Sequence, residues 1–427
     1  MFSRYNSQNR ITRHTKLNIM AKPKLALIPA AQGTSLYSVL PSSGVGDFQF
    51  NRSGSATRIN SQGLIETVAS GVSRLNYPLI DGVVKGCPSH ILEPQRTQLV
   101  RYSEDFSNSY WTKSNTLILS NEVISPDGSL NSHKLYEDTA SSTKLMFKSG
   151  ISTLGTISVF AKKDDENNRL FQIRRDGGSN SWSWFNLEDG IIENEENGSS
   201  RIENYGDGWY RCSFTPTNSN GTIVFGISNG SLSRSVSYTG DGTSGVYIWG
   251  AQVESGSYPT SYIPNYGTSA GVTRSAETAN GAGDASTFND SEGVLMVEAS
   301  ALDDDLVAEG VSISDETINN RVVIFKWTTS NSIKVRVASG GTNYFDKTVS
   351  VSDITAMNKI AIKYKVNDFS VWINGLELET DTSGITPIGL SKLNFNGGTS
   401  PSAFYGSAKQ IQYFDSALTD SELEKLT

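Results

Sequence analysis

The chain has 427 residues, of which 37% are hydrophobic and 19% charged, with 39 glycines and a formal net charge of −8. A chain of this length is too long to fold around a single hydrophobic core, and the composition favours several domains of short strands joined by polar turns. No apolar run approaches the roughly eighteen residues of a membrane-spanning helix, and the basic N-terminus lacks the apolar core of a secretory signal.

Cysteine and histidine are scarce and scattered. The two cysteines are Cys87 and Cys212, and the three histidines are His14, His90 and His133. Because none of these residues lies near another in sequence, the chain favours neither a disulfide framework nor a thiolate metal cluster. The same scarcity argues against a histidine-based zinc site and a hydrolase triad.

Charge is distributed unevenly along the chain. Residues 1–96 contain eleven Lys or Arg against four acids, whereas residues 276–427 contain eleven Lys or Arg against twenty-one acids. The N-terminal part of the chain is therefore basic, and the C-terminal part is acidic. Two partners fit a basic arm, namely nucleic acid and an acidic protein surface.

The first twenty residues, MFSRYNSQNRITRHTKLNIM, contain no acid and no helical apolar period. We expect residues 1–24 to form an extended arm that is ordered only by a partner. An upstream start codon of little function is the alternative, since Met20 would itself be a natural start. The cations of the arm are Arg4, Arg10, Arg13, Lys16, Lys22 and Lys24.

Residues 25–96 contain short apolar pieces such as LALIPA and LYSVLP between Gly/Ser turns. These pieces are too short and too loosely patterned for a full core. We therefore expect a module that completes itself against a partner.

Residues 97–262 predict an antiparallel β-sandwich. TISVFAKK, RLFQIRRD, SWSWF, WYRCSF, TIVFGIS and GVYIWGAQVE have strand length and strand composition, and turns rich in Gly, Asn and Asp separate them. In WYRCSF, Tyr210, Cys212 and Phe214 alternate with polar neighbours, which is the pattern of a half-buried strand.

Residues 263–286 are rich in Pro, Gly, Ser and Thr, a composition typical of a linker. Residues 287–427 predict a second β-sandwich, since SIKVRVAS and KIAIKYKV alternate apolar and charged residues. Asn374-Gly375 predicts a two-residue hairpin turn. Thr419 and Glu422 predict the capping box of a short C-terminal helix. The fold class is thus all-β, with an N-terminal arm and two sandwiches in tandem.

Three phrases, in chain order across residues 23–277, carry a resemblance to a known family. They are PKLALIPA with YSVLPSSGVGDFQFNRSGSATRINSQGLIE, then ILEPQRTQLVRYSEDFSNSYW, then VYIWGAQVESGSYPTSYIPNYGTSAGVTRSAE. They resemble structural proteins of bacteriophages, especially those that infect Bacteroidetes, in which an attachment module leads into a carbohydrate-binding-module-like jelly roll. Residues 287–427 resemble a concanavalin A/laminin-G-like domain through VWINGLELE and AKQIQYFDSALTDSELEKL.

The resemblance implies a fibre or spike subunit on the virion surface. Its N-terminal cations would anchor it to other virion proteins of the capsid, a vertex or the tail, which favours an acidic protein surface over nucleic acid as their partner. A homo-oligomer is expected, with a trimer favoured over a pentamer, and the β domains are expected to bind a host cell-surface glycan. The residues before Met20 depart from the usual start of the family, so their place in the anchor stays open.

The stretch ILEPQRTQLVRYSEDFSNSYW is interpreted as a domain boundary. Pro94 prevents the preceding strand from continuing, and YSEDFSNSYW begins the sandwich. Glu104 and Asp105 are adjacent, so in a strand they would point to opposite faces. Solvated loop carboxylates are therefore favoured over a catalytic pair.

Sugar binding needs a flat aromatic ring beside polar groups that form hydrogen bonds with the hydroxyl groups of the sugar. In SWSWF the tryptophans are either core residues or an exposed platform, with the core interpretation favoured. In VWIN, Trp372 is predicted to point away from the face that carries the aliphatic side chains, where it is either a glycan platform or a subunit contact. The glycan-binding candidates are Trp372, Asn374, Trp182 and Trp184, with Asn394 and Asn396 as weaker companions.

No catalytic residue or cofactor is predicted. Asp303, Asp304 and Asp305 offer the hard oxygen ligands that calcium prefers, but the spacing of a calcium loop is absent and an acidic turn is favoured. The alternative function is a polysaccharide-degrading virion enzyme, although no carboxylate pair stands out in the sequence.

Overall fold

The computed structural model describes residues 21–29, 36–164, 169–177, 181–218, 221–398 and 403–427. Strands account for nearly all regular structure, and these ranges contain a single helix. The prediction of an all-β protein is confirmed.

Nine short strands form the front segment, residues 25–98. They are β1 (Leu25–Leu27), β2 (Gln49–Asn51), β3 (Ala56–Ile59), β4 (Ile65–Val68), β5 (Arg74–Asn76), β6 (Leu79–Ile80), β7 (Val83–Val84), β8 (Ser89–Leu92) and β9 (Arg96–Gln98). Strands β3 and β4 pair as one hairpin, and β6 and β7 pair as another. Strands β1, β2, β8 and β9 pair with distant parts of the chain, and β5 pairs with β8.

The first sandwich contains thirteen strands. They are β10 (Thr112–Ser114), β11 (Thr116–Ser120), β12 (His133–Glu137), β13 (Ser141–Lys148), β14 (Gly155–Lys163), β15 (Leu170–Asp176), β16 (Ser181–Asn186), β17 (Ile191–Glu196), β18 (Gly198–Gly206), β19 (Trp209–Pro216), β20 (Thr222–Ser228), β21 (Ser237–Thr239) and β22 (Gly245–Ser255). One sheet has the order β10-β13-β20-β15-β16-β17 with β21 beside β13, and the other has the order β11-β12-β22-β14-β19-β18. Cys212 and Phe214 lie in the core between them, as their alternation predicts.

Residues 263–286, whose composition is typical of a linker, pair with the front segment. They contain β23 (Val272–Arg274) and β24 (Thr278–Asn280). Strand β23 pairs with β9, and β24 pairs with β2. We call residues 263–286 the returning segment, because they bring the chain back from the first sandwich to the front segment.

The C-terminal sandwich contains ten further strands and the helix. They are β25 (Glu292–Ala301), β26 (Glu309–Ser314), β27 (Arg321–Lys326), β28 (Ser332–Ser339), β29 (Thr342–Ser350), β30 (Asn358–Lys365), β31 (Asp368–Ile373), β32 (Leu376–Asp381), β33 (Lys392–Asn394), β34 (Gly406–Phe414) and α1 (Asp420–Leu426). Asn374 and Gly375 both have positive φ and join β31 to β32, which confirms the predicted hairpin. Thr419 caps α1, and the Glu422 carboxylate accepts a hydrogen bond from the Thr419 backbone N–H, which confirms the capping box.

The front segment completes the C-terminal sandwich. Its larger sheet has the order β32-β31-β30-β25-β34-β8-β5, with β1 also beside β34, and the facing sheet has the order β29-β28-β27-β26-β33. Leu25, Leu27 and Leu92 of the front segment lie in the core of this sandwich, together with Ala279 and Ala282 of the returning segment. The partner that the front segment needs is therefore supplied by the same chain.

The front segment also covers part of the first sandwich. Ile65 of the β3–β4 hairpin packs in a cluster with Phe160, Trp209, Trp249 and Tyr262. These aromatic residues lie on the outer face of the six-stranded sheet, where they would otherwise face solvent. One short segment thus packs against both sandwiches.

A buried network of three arginines and two glutamates lies where the front and returning segments meet. Its members are Arg52, Arg74, Glu93, Arg274 and Glu277, and all five side chains are excluded from solvent. The Arg52 Nη1–Glu277 Oε1, Arg74 Nη2–Glu93 Oε2 and Arg274 Nη1–Glu93 Oε2 distances are each 2.7 Å. Arg74 also pairs with Glu277 through both carboxylate oxygens. We call this set the arginine–glutamate network.

The network keeps Glu93 charged although its side chain is buried. Burial by itself raises the pKa of Glu93, but the guanidinium groups of Arg274 and Arg74 outweigh burial and lower the pKa to about 2. Nearby His90, which is also buried, has its pKa lowered to about 4 by burial. Charges held out of water in this way are tolerated only while every partner is present.

Glu277→Gln tests the network. This change removes one of two carboxylates and leaves the guanidinium groups of Arg52 and Arg74 buried with too little negative charge. We expect the free energy of unfolding to fall by about 3–5 kcal/mol, measured by urea unfolding followed by tryptophan fluorescence. Lys85→Gln, which removes an exposed pair with Asp81, is the control and should change that energy by less than about 1 kcal/mol. Equal stability of the two variants would contradict the role of the network.

Candidate binding surfaces

Two tryptophans lie on the outer face of the seven-stranded sheet of the first sandwich. Strand register places Trp182 opposite Arg174 and Trp184 opposite Gln172, whereas Ser183 lies opposite Ile173 on the core side. The serines of SWSWF therefore face the core and the tryptophans face outward, so the favoured interpretation of the tryptophans as residues of the sandwich core is wrong. We call the surface formed by Trp182, Trp184, Gln172 and Arg174 the tryptophan face.

Residues 229–236 form a loop that crosses this face and fixes its side chains. The Trp184 indole Nε1 donates a hydrogen bond of 3.1 Å to the carbonyl oxygen of Ser233. Arg174 Nη1 donates a 2.8 Å hydrogen bond to the carbonyl oxygen of Arg234. Trp184 is consequently buried beneath the loop, while Trp182 stays half-buried at its edge.

The cations of the tryptophan face are paired. Arg174 Nη2 lies 2.8 Å from Asp176 Oδ2, and Arg234 pairs with the other oxygen of the same carboxylate. Burial lowers the pKa of Arg174, although Asp176 opposes this shift. The guanidinium of Arg174 is thus fixed beneath the loop beside an indole ring, and Arg174 itself is only 3% exposed.

A shallow cavity of about 320 Å³ opens at one end of the same strands. It is bounded by β15, β17 and the loop that covers Trp184, and is lined by Leu170, Glu193, Ser228, Asn229, Gly230 and Leu232. Indole rings can cover the apolar face of a pyranose while neighbouring amides, carboxylates and guanidinium groups bind its hydroxyls. On the tryptophan face, Trp182 is the residue that reaches solvent, because Trp184, Gln172 and Arg174 are each buried beneath the loop.

Sequence reasoning identified the tryptophans of this face but missed Gln172 and Arg174. Both residues alternate with the buried Phe171 and Ile173 in RLFQIRRD. That alternation is a signal that could have placed the two polar side chains on the outer face. The covering loop carries no comparable signal, because its contacts come from the tertiary fold.

Trp372 does not form an exposed platform. It points away from Val371 and Ile373, as the alternation predicts, but that face of the sheet is covered by α1. The indole packs with Leu423 and Leu426 of the helix and is only 7% exposed. The interpretation of Trp372 as a surface residue is corrected, because the short helix folds back over it.

The three asparagine candidates are occupied in structural hydrogen bonds. Asn374 Nδ2 donates to Asn358 Oδ1 at 3.0 Å, and Asn394 Oδ1 accepts from the Gly281 N–H at 2.7 Å. Asn396 Nδ2 donates to Asn280 Oδ1 at 3.2 Å. Asn394 and Asn396 thus hold the returning segment, and the structure does not bring them together with Trp182 and Trp184.

Of the predicted anchor cations, Arg4, Arg10, Arg13 and Lys16 lie outside the described residues. Lys24 is held on the C-terminal sandwich, since its backbone N–H donates to Tyr413 O at 2.7 Å and its Nζ lies 3.8 Å from Asp415. Lys22 is exposed nearby.

The acidic turn contributes its carboxylates to three separate contacts. Asp303 pairs with Arg201, Asp304 accepts hydrogen bonds from Ser330 and Asn331, and Asp305 pairs with Lys326. Within the described ranges, no group of three or more His, Cys, Asp or Glu side chains is placed to hold a metal ion. Among those residues, no helix is long and apolar enough to span a membrane.

No protein-family model matches the chain, and no curated protein matches it. Among solved structures, the chain is similar to the CBM40 module of the Ruminococcus gnavus IT-sialidase bound to α2,3-sialyllactose, with 16% identity and a TM-score of 0.30. That match covers 34% of this chain and 87% of the module.

Two further structures give matches of the same quality. The NanB sialidase of Streptococcus pneumoniae is 17% identical over 34% of this chain and 25% of its own, with a TM-score of 0.29. Domain 4 of the Geobacillus stearothermophilus arabinanase AbnA, in complex with arabinotriose, is 13% identical over 35% of this chain and 72% of its own, with a TM-score of 0.30. Likeness at this level does not indicate what this chain binds.

Trp372→Ala tests the corrected position of this residue. Removing the indole leaves a cavity between the sheet and α1, and we expect the free energy of unfolding to fall by about 3–5 kcal/mol. The measurement is urea unfolding followed by circular dichroism. Leu376→Ala on the adjacent strand, where the side chain is exposed, is the control and should have little effect. Unaltered stability of Trp372→Ala would show that the indole is not packed beneath the helix.

Proposed function

We propose that the chain is a structural subunit of a bacteriophage virion, a fibre or spike that displays β-sandwich domains for attachment to a host cell-surface glycan. The resemblance of residues 23–277 to phage structural proteins supports the virion assignment. The tryptophan face supports the attachment role, because the outward-facing Trp182 is half-buried and leaves part of an indole ring open to a ligand. The proposed location is the virion surface, and the proposed assembly is a homo-oligomer, with a trimer favoured over a pentamer.

The path of the chain supports an orientation for this subunit. Strand β1 pairs with β34, and Ala21 packs beside α1 and Trp372. Residues 1–20 therefore join the described part of the chain at the C-terminal sandwich. If these residues anchor the subunit, the C-terminal sandwich is nearest the particle and the first sandwich is displayed outward. The acidic C-terminal part of the chain then forms the base of the subunit rather than its outer end.

We also propose that the subunit binds and assembles without catalysing a reaction. In the boundary stretch, Asp105 Oδ1 accepts hydrogen bonds from the backbone N–H groups of Ser107 and Asn108, and Glu104 Oε1 accepts one from the Tyr262 hydroxyl. These carboxylates stabilise a turn and a tyrosine. New reducing ends after incubation of the purified protein with host surface polysaccharide would instead support the alternative, a depolymerase.

Deletion of residues 1–20 tests the proposed function. The deletion leaves β1 and the Lys24–Asp415 pair in place, so the purified protein should unfold at the same urea concentration as the full chain. We expect particles assembled with the deleted chain to lack the subunit, measured by immunoblot of purified virions. A full-length variant with Gln at Arg4, Arg10, Arg13 and Lys16 is the matched control for charge. It should also fail to incorporate if the arm docks on an acidic surface.

Particles that carry Trp182→Ala test the proposed attachment to the host glycan. They should contain the normal amount of the subunit but adsorb more slowly to host cells. Unchanged incorporation of the deleted chain would contradict the anchor, and unchanged adsorption of Trp182→Ala particles would contradict attachment through the tryptophan face.

A further inference from the structure

A second groove, of about 690 Å³, lies on another side of the molecule from the tryptophan face. One wall is the start of the β3–β4 hairpin, and the other is formed by residues 262–268 and β23. We call it the tyrosine groove and define it by Tyr102, Tyr262, Tyr266, Ser55, Thr67 and Thr268. Its volume falls in the range of small-molecule sites.

Tyrosine rings supply the apolar surface of this groove. Tyr266 is 72% exposed, and its hydroxyl hydrogen-bonds to Glu104, which also accepts a 3.0 Å hydrogen bond from the Tyr262 hydroxyl. The absence of a side chain at Gly267 lets the loop approach the Tyr102 ring, since a Cβ there would lie 3.1 Å from it. An exposed ring held at its hydroxyl end is a suitable platform for a sugar ring.

Hydroxyl groups supply the polar surface. Ser55, Thr67 and Thr268 are exposed. Thr57 closes the bottom of the groove, because its Oγ1 donates a 2.6 Å hydrogen bond to the Tyr262 carbonyl oxygen. Hydroxyls that face solvent can exchange water for the hydroxyls of a ligand.

The lining carries no free cation. Arg274 is the one Lys or Arg among its described lining residues, and its guanidinium is committed to Glu93 at 2.7 Å and to the Pro94 carbonyl oxygen at 2.6 Å. Burial and the nearby Glu104 raise the pKa of Tyr266 to about 12, so its phenol is neutral at physiological pH. A ligand that carries a carboxylate or phosphate would find no unpaired positive charge here.

We infer that the tyrosine groove is a binding site for an uncharged saccharide, with one sugar ring stacked on Tyr266 and its hydroxyls bound by the serine and threonine side chains. The inference goes beyond the proposed function, because it concerns a second site and does not require that the chain sit on a particle. The front and returning segments build the groove together, so the arginine–glutamate network also fixes its shape.

The test is binding of defined sugars to the purified full-length chain by isothermal titration calorimetry. The neutral probes are cellotetraose, mannotriose and arabinotriose, and the charged probe is N-acetylneuraminic acid. We expect at least one neutral probe to bind and the charged probe to bind at least about tenfold more weakly. Tyr266→Ala should weaken the neutral probe by about tenfold, which corresponds to about 1.4 kcal/mol.

Three further variants separate stacking from other effects. Tyr266→Phe keeps the ring and should stay within about threefold of the natural protein. Tyr37→Ala removes another exposed tyrosine outside the groove and should change nothing, and Trp182→Ala should leave this affinity intact. The inference is overturned if no neutral probe binds, if Tyr266→Ala binds as tightly as the natural protein, or if Trp182→Ala alone abolishes binding. None of these outcomes depends on virion incorporation.

Discussion

The arginine–glutamate network is the constraint on which the rest of the structure depends. Three guanidinium groups and two carboxylates lie out of water, and each carboxylate pairs with an arginine more than 180 residues away in the sequence. Taking ions out of water costs several kcal/mol for each, and the cost is offset only when the geometry is complete. The front and returning segments must therefore meet in one arrangement, and this requirement fixes how they connect the two sandwiches.

This arrangement explains how a segment with little apolar material is held in place by packing against both sandwiches. The front segment contributes strands to the sheet of the C-terminal sandwich and a hairpin to the outer face of the first sandwich. Three of its arginines, Arg52, Arg74 and Arg96, pair with glutamates from beyond residue 250, namely Glu254 and Glu277. Lys24 of the basic arm likewise pairs with Asp415 of the same chain.

Local pattern was enough to predict much of the fold. The alternation of Ile333, Val335 and Val337, the Asn374-Gly375 turn and the capping box all follow from interactions within a few residues, and the structure has each of them. The pairing of β1 with β34 could not be read in the same way, because its partner lies more than 380 residues away. The ladder hydrogen bonds of β1 use backbone groups that carry no sequence signature.

The candidate sites show the same division between local and distant information. The outward direction of Trp372 follows from strand alternation, whereas the alternation in SWSWF left both directions open for Trp182 and Trp184. The burial of all three depends on what folds over them. A loop covers Trp184, and α1 covers Trp372. Glu93 and Glu277 were not singled out in the sequence at all, since a buried glutamate and a solvated one look alike until their arginine partners are known.

Native-state hydrogen exchange tests most directly whether the network makes one cooperative body of the two sandwiches and the segments between them. Amides of β1, β5, β8 and β23 would be compared with amides of the core strands β14 and β25 as urea is raised from zero. If the network makes one cooperative body, all of them exchange through a common opening with the free energy of global unfolding. Exchange of the front-segment amides about a hundredfold faster, while both sandwich cores stay protected, would contradict it.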